Sequence, residues 1–310
     1  MSSSDLLVAS SGGHLEELVE LARQLEPAPV QPVWVTTRTV QTERLLSGQR
    51  VEWVPPVASR QGWRALRSLP RAYRLLRRHR PDRVISTGAA LAVPYLLAAR
   101  AAGAGVHYIE SATRLQGPSL SGRMLERVPG VHLHHQGFVE PRRGWRRIGG
   151  VFDSFAPGPE REPGGTDALL MLGTERFPFD RALALVDAVP DLTWVAQTGH
   201  TPTTSADPRC RPWLSPDELS ALAARSGLIV THAGVGSILL ALRAGRHPVV
   251  VPRLHRWGEH ADDHQLELAE DLEFRGLVSV LRPDQEPGPV LEAARRRSTV
   301  RVRPPALDLG

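Results

Sequence analysis

One grammar, spoken twice, constrains this chain more than anything else in it. Apolar runs of strand length alternate with amphipathic segments of helix length, the pattern of a parallel sheet covered by helices. The alternation stops at 156–165 (APGPEREPGG) and then begins again. In the first half it predicts strands at 5–10, 32–37, 51–54, 83–87 and 106–110. Helices are predicted at 14–25, 63–79 and 90–102, followed by a loop-rich stretch. In the second half strands are predicted at 168–172, 193–197, 228–231, 248–251 and 277–280, with helices at 179–189, 216–225, 237–244 and 262–274. A segment so dense in Pro and Gly cannot hold regular structure and reads as a linker. The expected fold class is therefore α/β: two doubly wound, Rossmann-like domains at 1–155 and 166–310. The last fifteen or so residues, rich in Arg and Pro, are expected to cross the surface or fray.

Composition narrows the function classes. Hydrophobic residues make up 41% and charged residues 23%, which places the chain among globular proteins. No stretch approaches the roughly eighteen uninterrupted apolar residues of a membrane span. The start, MSSSDLLVASSGGH, lacks the marks of a secretory signal, so the cytoplasm is the expected location. The single cysteine, Cys210, excludes an internal disulfide and a cysteine-built metal cage. The net charge is +5, and every cation is arginine. That basicity suits an anionic substrate or an anionic membrane surface. Nucleic acid is not an expected partner, because no zinc finger or aromatic-basic interleaving accompanies the charge.

Three loops carry groups fit for chemistry. The run 229–237 (IVTHAGVGS) ends a strand, turns on glycines and opens a helix. Free N–H groups at such a start form a ready site for a diphosphate, with Gly234, Gly236 and Ser237 as its parts, and His232 beside them. Ser237 is expected to cap the helix. A dinucleotide fingerprint would need a third glycine, which is missing, so no nicotinamide cofactor is expected. The run 6–14 (LLVASSGGH) repeats the arrangement and sets His14 at the mouth of a strand-to-helix turn. An imidazole there has the right pKa range to take a proton from a hydroxyl. The third loop, 252–265 (PRLHRWGEHADDHQ), gathers Glu259, His260, Asp263, His264 and Gln265, all able to bind sugar hydroxyls. Its His and Asp spacing matches no HExxH-type ligand pattern, so no protein-bound metal is expected. His132, His134 and His135 read as core or surface residues on a strand-like run.

In this order the pieces resemble a known family over nearly the whole chain. The segments Val8–Leu18 (VASSGGHLEEL), Ile85–Ala99 (ISTGAALAVPYLLAA) and Tyr108–Arg114 (YIESATR) resemble the membrane-side subunit of two-part bacterial exopolysaccharide glycosyltransferases. They are similar, too, to the matching subunit of the eukaryotic enzyme that adds the second N-acetylglucosamine to dolichol-pyrophosphate-linked sugar. Leu172–Arg181 (LGTERFPFDR), Gln197–His200 (QTGH) and Thr231–Leu268 resemble the donor-binding partner subunit. The chain thus resembles both subunits fused and, more distantly, the peptidoglycan lipid-intermediate transferases of the MurG type.

The resemblance implies an inverting enzyme of the GT-B fold, with two Rossmann-like domains facing across a cleft and a UDP-sugar as co-substrate rather than a cofactor. It places Gly234, Gly236 and Ser237 on the diphosphate, and His264 and Gln265 on the donor sugar with Glu259, His260 and Asp263 nearby. Gly173, Thr174, Glu175, Thr198, Gly199 and His200 border the donor. Gly12, Gly13, His14, Glu110 and Arg114 lie on the acceptor side, with His14 as the expected base and Glu110 in reserve. The family helix carries a ribose-binding glutamate where this chain has Leu240. The implied acceptor is a polyprenyl-linked saccharide in surface-polysaccharide assembly. A soluble small-molecule acceptor, a UDP-sugar epimerase and an inactive UDP-sugar-binding partner are the alternatives. Apolar Trp63, Leu66, Leu69, Tyr73 and Leu76 beside Arg64, Arg67, Arg71, Arg74 and Arg78 suit either a helix on anionic lipid or one covering the sheet, kinked at Pro70.

Overall fold

Strand β1 (Asp5–Ala9) is buried at every position, as a strand covered on both faces must be. The computed structural model describes residues 4–57, 67–203 and 207–310. After the short β2 (Leu25–Glu26), the first sheet continues with β3 (Val33–Thr37), β4 (Arg50–Val54), β5 (Arg83–Gly88), β6 (Gly105–Ile109), β7 (Val131–His135) and β8 (Trp145–Arg147). Its order is β4-β3-β1-β5-β6-β7-β8, and neighbouring strands run parallel. β7, β8 and the helix Leu120–Leu125 occupy the stretch expected to be mostly loop; they are too short to display a clear period.

The segment expected as a linker is partly strand. β9 (Phe155–Pro157) pairs antiparallel with a strand near the chain's end, β16 (Thr299–Arg301). The Gly158 and Arg161 N–H groups continue the attachment, to Ser298 O at 2.9 Å and Arg296 O at 2.8 Å. Between them lies the second sheet: β10 (Asp167–Met171), β11 (Thr193–Gln197), β12 (Cys210–Arg211), β13 (Leu228–His232), β14 (Val249–Val251) and β15 (Ser279–Val280). Its parallel order is β12-β11-β10-β13-β14-β15. Alternation along β10 feeds both faces. Ala168 and Leu170 join Phe179 and Trp194 on one, while Leu169 and Met171 join Leu222 and Ala241 on the other.

The chain divides into two units, though not at 155. One runs to Val151 and takes up Pro304–Gly310; the other spans Phe152–Arg303. The last seven residues belong to the first unit and do not fray: β17 (Leu307–Asp308) pairs with β2, and Leu307 and Leu309 are buried. In each sheet the order reverses at one point, between β1 and β5 and between β10 and β13. Loops at the carboxyl ends of strands flanking such a reversal are where open α/β sheets bind ligands.

The helix Leu69–His79 covers the first sheet. Ala72, Leu75 and Leu76 are buried against the core, while Tyr73 turns out, 49% exposed, among Arg71, Arg74, Arg77 and Arg78. Leu69 and Leu76 of the expected stripe thus pack inward and Tyr73 does not. Pro70 sits in the first turn, where its missing N–H costs nothing, so it makes no kink. Trp63, Arg64 and Leu66 lie outside the described residues. Among the described residues no helix is long and apolar enough to cross a membrane.

Three histidines on β6 and β7 stack: His107 lies 4.9 Å from His132 and 5.5 Å from His134, ring centre to ring centre. Burial pushes His107 down to about 4 and His134 down to about 3. In the second unit burial likewise pushes His232 to about 3 and His247 to about 4. A histidine with a depressed native pKa contributes stability that is complete above its unfolded value of 6.5 and is lost as pH falls toward the native value. Each such group removes up to about 1.4 kcal/mol per pH unit within that window. Urea unfolding should therefore show several kcal/mol less stability at pH 5 than at pH 7. Equal midpoints and slopes at the two pH values would contradict this.

Candidate functional site

In the second unit, β13 runs into the helix Val235–Arg243 through His232, Ala233 and Gly234. The helix starts before the expected 237. Gly234 occupies the cap position, and the first helical bond there runs from Ile238 N–H to Gly234 O at 3.0 Å. The N–H groups of Val235, Gly236 and Ser237 thus precede the helical ladder and form the open N-terminal turn. Ser237 is not the cap. It sits in the first turn, its Oγ 3.2 Å from Nε2 of His232. Burial, with the Arg253 charge adding to it, keeps His232 neutral at physiological pH.

Two glycines make this packing possible. A Cβ on Gly234 or Gly173 would run into the His232 ring, and Gly173 also takes φ +78°. Gly173 follows β10 and Gly199 follows β11. Gln197 Nε2 lies between their loops, donating to Gly173 O and Pro212 O, each at 3.2 Å. The structure therefore brings Gly173, Gly199, His232, Gly234 and Ser237 together at the β10/β13 reversal. Thr174, Glu175 and His200 are exposed, and His200 meets Trp213 edge-on; Thr198 is buried.

The 252–265 loop splits into two roles. Glu259 is buried, and its carboxylate is taken by Arg181, at 2.9 and 3.1 Å, and by the Leu254 N–H. Gln265 is buried as well, its Oε1 accepting from Ala233 N–H and Arg253 N–H, each at 3.2 Å. Gln265 Oε1 thus fastens the loops after β13 and β14, and Glu259 fastens the loop after β14 to Arg181. Asp263 accepts from His255 N–H at 2.7 Å. His260 and His264 remain partly exposed and aim Nδ1 at one oxygen of Asp262.

Arg253 organises this region. It is 1% exposed, and its guanidinium donates to Leu172 O (2.8 Å), Phe177 O (2.8 Å) and Glu259 O (3.0 Å), lying 4.3 Å from the Phe179 ring centre. Burial lowers its pKa to about 10, with the Glu175 and Glu259 carboxylates opposing, so it stays charged at neutral pH. The sequence pattern does not single out Arg253. Its only signal was an arginine placed directly after an apolar, proline-bounded strand. Leu240 packs against the cluster of Leu169, Met171 and Leu222.

In the first unit, Gly12 takes φ +87° and the helix Gly13–Ala22 begins just beyond β1. His14 is fixed twice by Thr87 at the end of β5: its Nδ1 lies 3.0 Å from Thr87 O, and its own carbonyl accepts from Thr87 Oγ1 at 2.7 Å. A carbonyl only accepts, so Nδ1 carries the proton and Nε2 keeps the free lone pair. Burial lowers the His14 pKa; the Thr87 bond opposes this, and the nearby Arg114 charge adds to it. Beside Thr87, Ala89 holds φ 67°, a left-handed conformation that costs a non-glycine residue about 1 kcal/mol or more.

Glu110, the expected reserve base, is engaged within the protein. It is 1% exposed, and its carboxylate accepts from Tyr108 OH, Ser111 N–H, and both the N–H and Oγ of Ser119. Glu17, one turn along the same helix as His14, is wholly buried and accepts from Ala112 N–H at 2.6 Å and from Gln136 Nε2. Burial pushes it up to about 7. These two carboxylates pin the 110–119 loop, which carries Arg114.

Residues 215–279 match the glycosyltransferase family 28 C-terminal domain, the stretch holding the Gly234–Ser237 turn and the 252–265 loop. A 56-residue stretch is 46% identical to the UDP-N-acetylglucosamine transferase subunit ALG13 of Yarrowia lipolytica, covering 18% of this chain. Over 233 residues, 66% of this chain, identity is 30% to a UDP-N-acetylglucosamine–N-acetylmuramyl-(pentapeptide) pyrophosphoryl-undecaprenol N-acetylglucosamine transferase of Sorangium cellulosum. The chain covers only 26% and 54% of the length of these two relatives. The crystal structure of Acinetobacter baumannii MurG superposes with a TM-score of 0.57 at 20% identity, covering 94% of this chain and 89% of that one. This chain has the GT-B fold and resembles the glycosyltransferases of the ALG13 and MurG types.

Proposed function

We propose that the protein is a glycosyltransferase that binds a UDP-sugar in its second unit and transfers the sugar, with inversion, to an acceptor hydroxyl presented to His14. The observation that carries this reading is the open first turn at Val235–Ser237, set at the strand-order reversal within the matched family domain. The acceptor oxygen attacks the anomeric carbon, and its proton passes to His14 Nε2. The bond to the diphosphate breaks with its electron pair going to the leaving UDP. The N–H groups of Val235, Gly236 and Ser237 and the helix dipole meet that growing charge without a metal.

One named relative is a transferase to an N-acetylmuramyl-(pentapeptide) pyrophosphoryl-undecaprenol, and the other is a UDP-N-acetylglucosamine transferase subunit. We take a polyprenyl-linked saccharide in surface-polysaccharide assembly as the acceptor class. Peripheral contact with anionic lipid through Arg71, Arg74, Arg77, Arg78 and Tyr73 belongs to the same reading, at the cytoplasmic face of the membrane. The test is UDP release over a panel of UDP-sugars, with and without a polyprenyl-linked oligosaccharide in anionic vesicles. One donor should release UDP only with the acceptor, and the protein should sediment with the vesicles. Calorimetry that detects no UDP binding would end the proposal, and Gly234→Ala should weaken that binding at least about tenfold by displacing His232.

A further inference from the structure

The spacing His-x-Asp-x-His within 260–264 fits no ligand pattern used in reading the sequence, yet the fold gathers its side chains. We infer that His260, Asp262 and His264 form a binding site for one divalent transition-metal ion. One ligand atom from each lies within 4.8 Å of the others. Nδ1 of His260 is 3.2 Å from Asp262 Oδ1, and Nδ1 of His264 contacts the same oxygen. That 3.2 Å is close to the edge, about 3.3 Å, of a tetrahedron built from bonds of roughly 2.0–2.1 Å. The two rings stand nearly perpendicular, 87° apart with centres separated by 4.6 Å, so they fan around one point instead of stacking. Phe177 backs the His260 ring at 5.9 Å.

The donor set decides the kind of ion. Two imidazoles and one carboxylate suit Zn2+ or Co2+, whereas Mg2+ and Ca2+ prefer oxygen throughout. The start of the His264–Phe274 helix, with its partial positive charge, opposes a cation. The carboxylates of Asp262 and Asp263 stand beside it and offset that charge. Three protein ligands leave a fourth position for water or a ligand oxygen.

Binding would also change what the rings present. With Asp262 accepting from Nδ1–H, each Nε2 is an acceptor; with an ion on Nδ1, each Nε2 carries the proton and donates. A loaded site would therefore offer N–H donors to a sugar. That consequence rests on the donor reading above; metal binding itself does not.

The experiment is a Co2+ titration of the untagged full chain without nucleotide, followed through the visible bands of a tetrahedral ion, with Zn2+ as competitor. One equivalent should bind and be displaced by Zn2+ but not by Mg2+. His260→Ala, His264→Ala and the near-isosteric Asp262→Asn should each weaken binding at least tenfold, with His200→Ala unchanged and thermal melting confirming that all four fold. If the wild type binds no more Co2+ than a variant lacking all three groups, or if His200→Ala loses binding equally, the site does not exist. Because no nucleotide is present, that failure would leave the UDP-sugar reading standing, and absent UDP binding would leave this site standing.

Discussion

Replacing His14 with alanine is expected to reduce turnover by about 100- to 10,000-fold, the usual contribution of a general base, with UDP affinity unchanged. The reasoning is local. Thr87 O holds the proton of Nδ1, so Nε2 is left as the only basic atom of the ring. Burial lowers the imidazole's pKa, so it remains neutral and able to accept below the range where a free histidine would protonate. The acid limb of the activity profile should lie below the range in which a free histidine protonates, as His14 takes up a proton. In His14→Ala that acid limb should vanish together with the rate. Wild-type turnover in the variant would remove His14 from the mechanism.

Replacing Arg253 with leucine is expected to destabilise the second unit by about 3–5 kcal/mol, the range seen when one partner of a buried charged network is removed. The side chain is fully enclosed, and its loss leaves the carbonyls of Leu172, Phe177 and Glu259 without their donor. Leucine fills part of the volume but satisfies none of them, so the desolvation cost of each group appears in full. UDP binding should weaken too, since Arg253 ties the loop after β10 to the one after β14. Urea unfolding of the purified variant checks the first claim and calorimetry the second. A change within about 1 kcal/mol would show that water replaces the guanidinium.

The parallel sheets were legible because their strands are continuous apolar runs between glycine turns, and both strand-order reversals fall where those turns were read. Single residues in the loops were less legible. Gly234, Ser237 and His14 follow from the strand–turn–helix pattern, since a helix start fixes what its first turn can do. Glu259 and Gln265 have side chains suited to sugar, and nothing local reveals that Arg181 and three backbone N–H groups bond to them. The surroundings of Glu110 are hidden for the same reason: its partner Ser119 is set by a turn with no periodic signature. Arg253, Glu17 and Thr87 act through contacts many residues away, which a one-dimensional pattern does not encode. The short strands of the tail and β9 carry no sequence signal because two or three residues show no period, although they are enough to complete an existing edge.

The seven residues Pro304–Gly310 make the second unit an insertion within the first rather than an appendage to it. Gene surgery feels this directly. Severing the polypeptide after Val151, to regenerate two separately made proteins like the subunits it resembles, would strand Leu307 and Leu309 on the wrong fragment. The amino-terminal product would then expose the Leu25 edge, and restoring it would call for a grafted copy of the final heptapeptide.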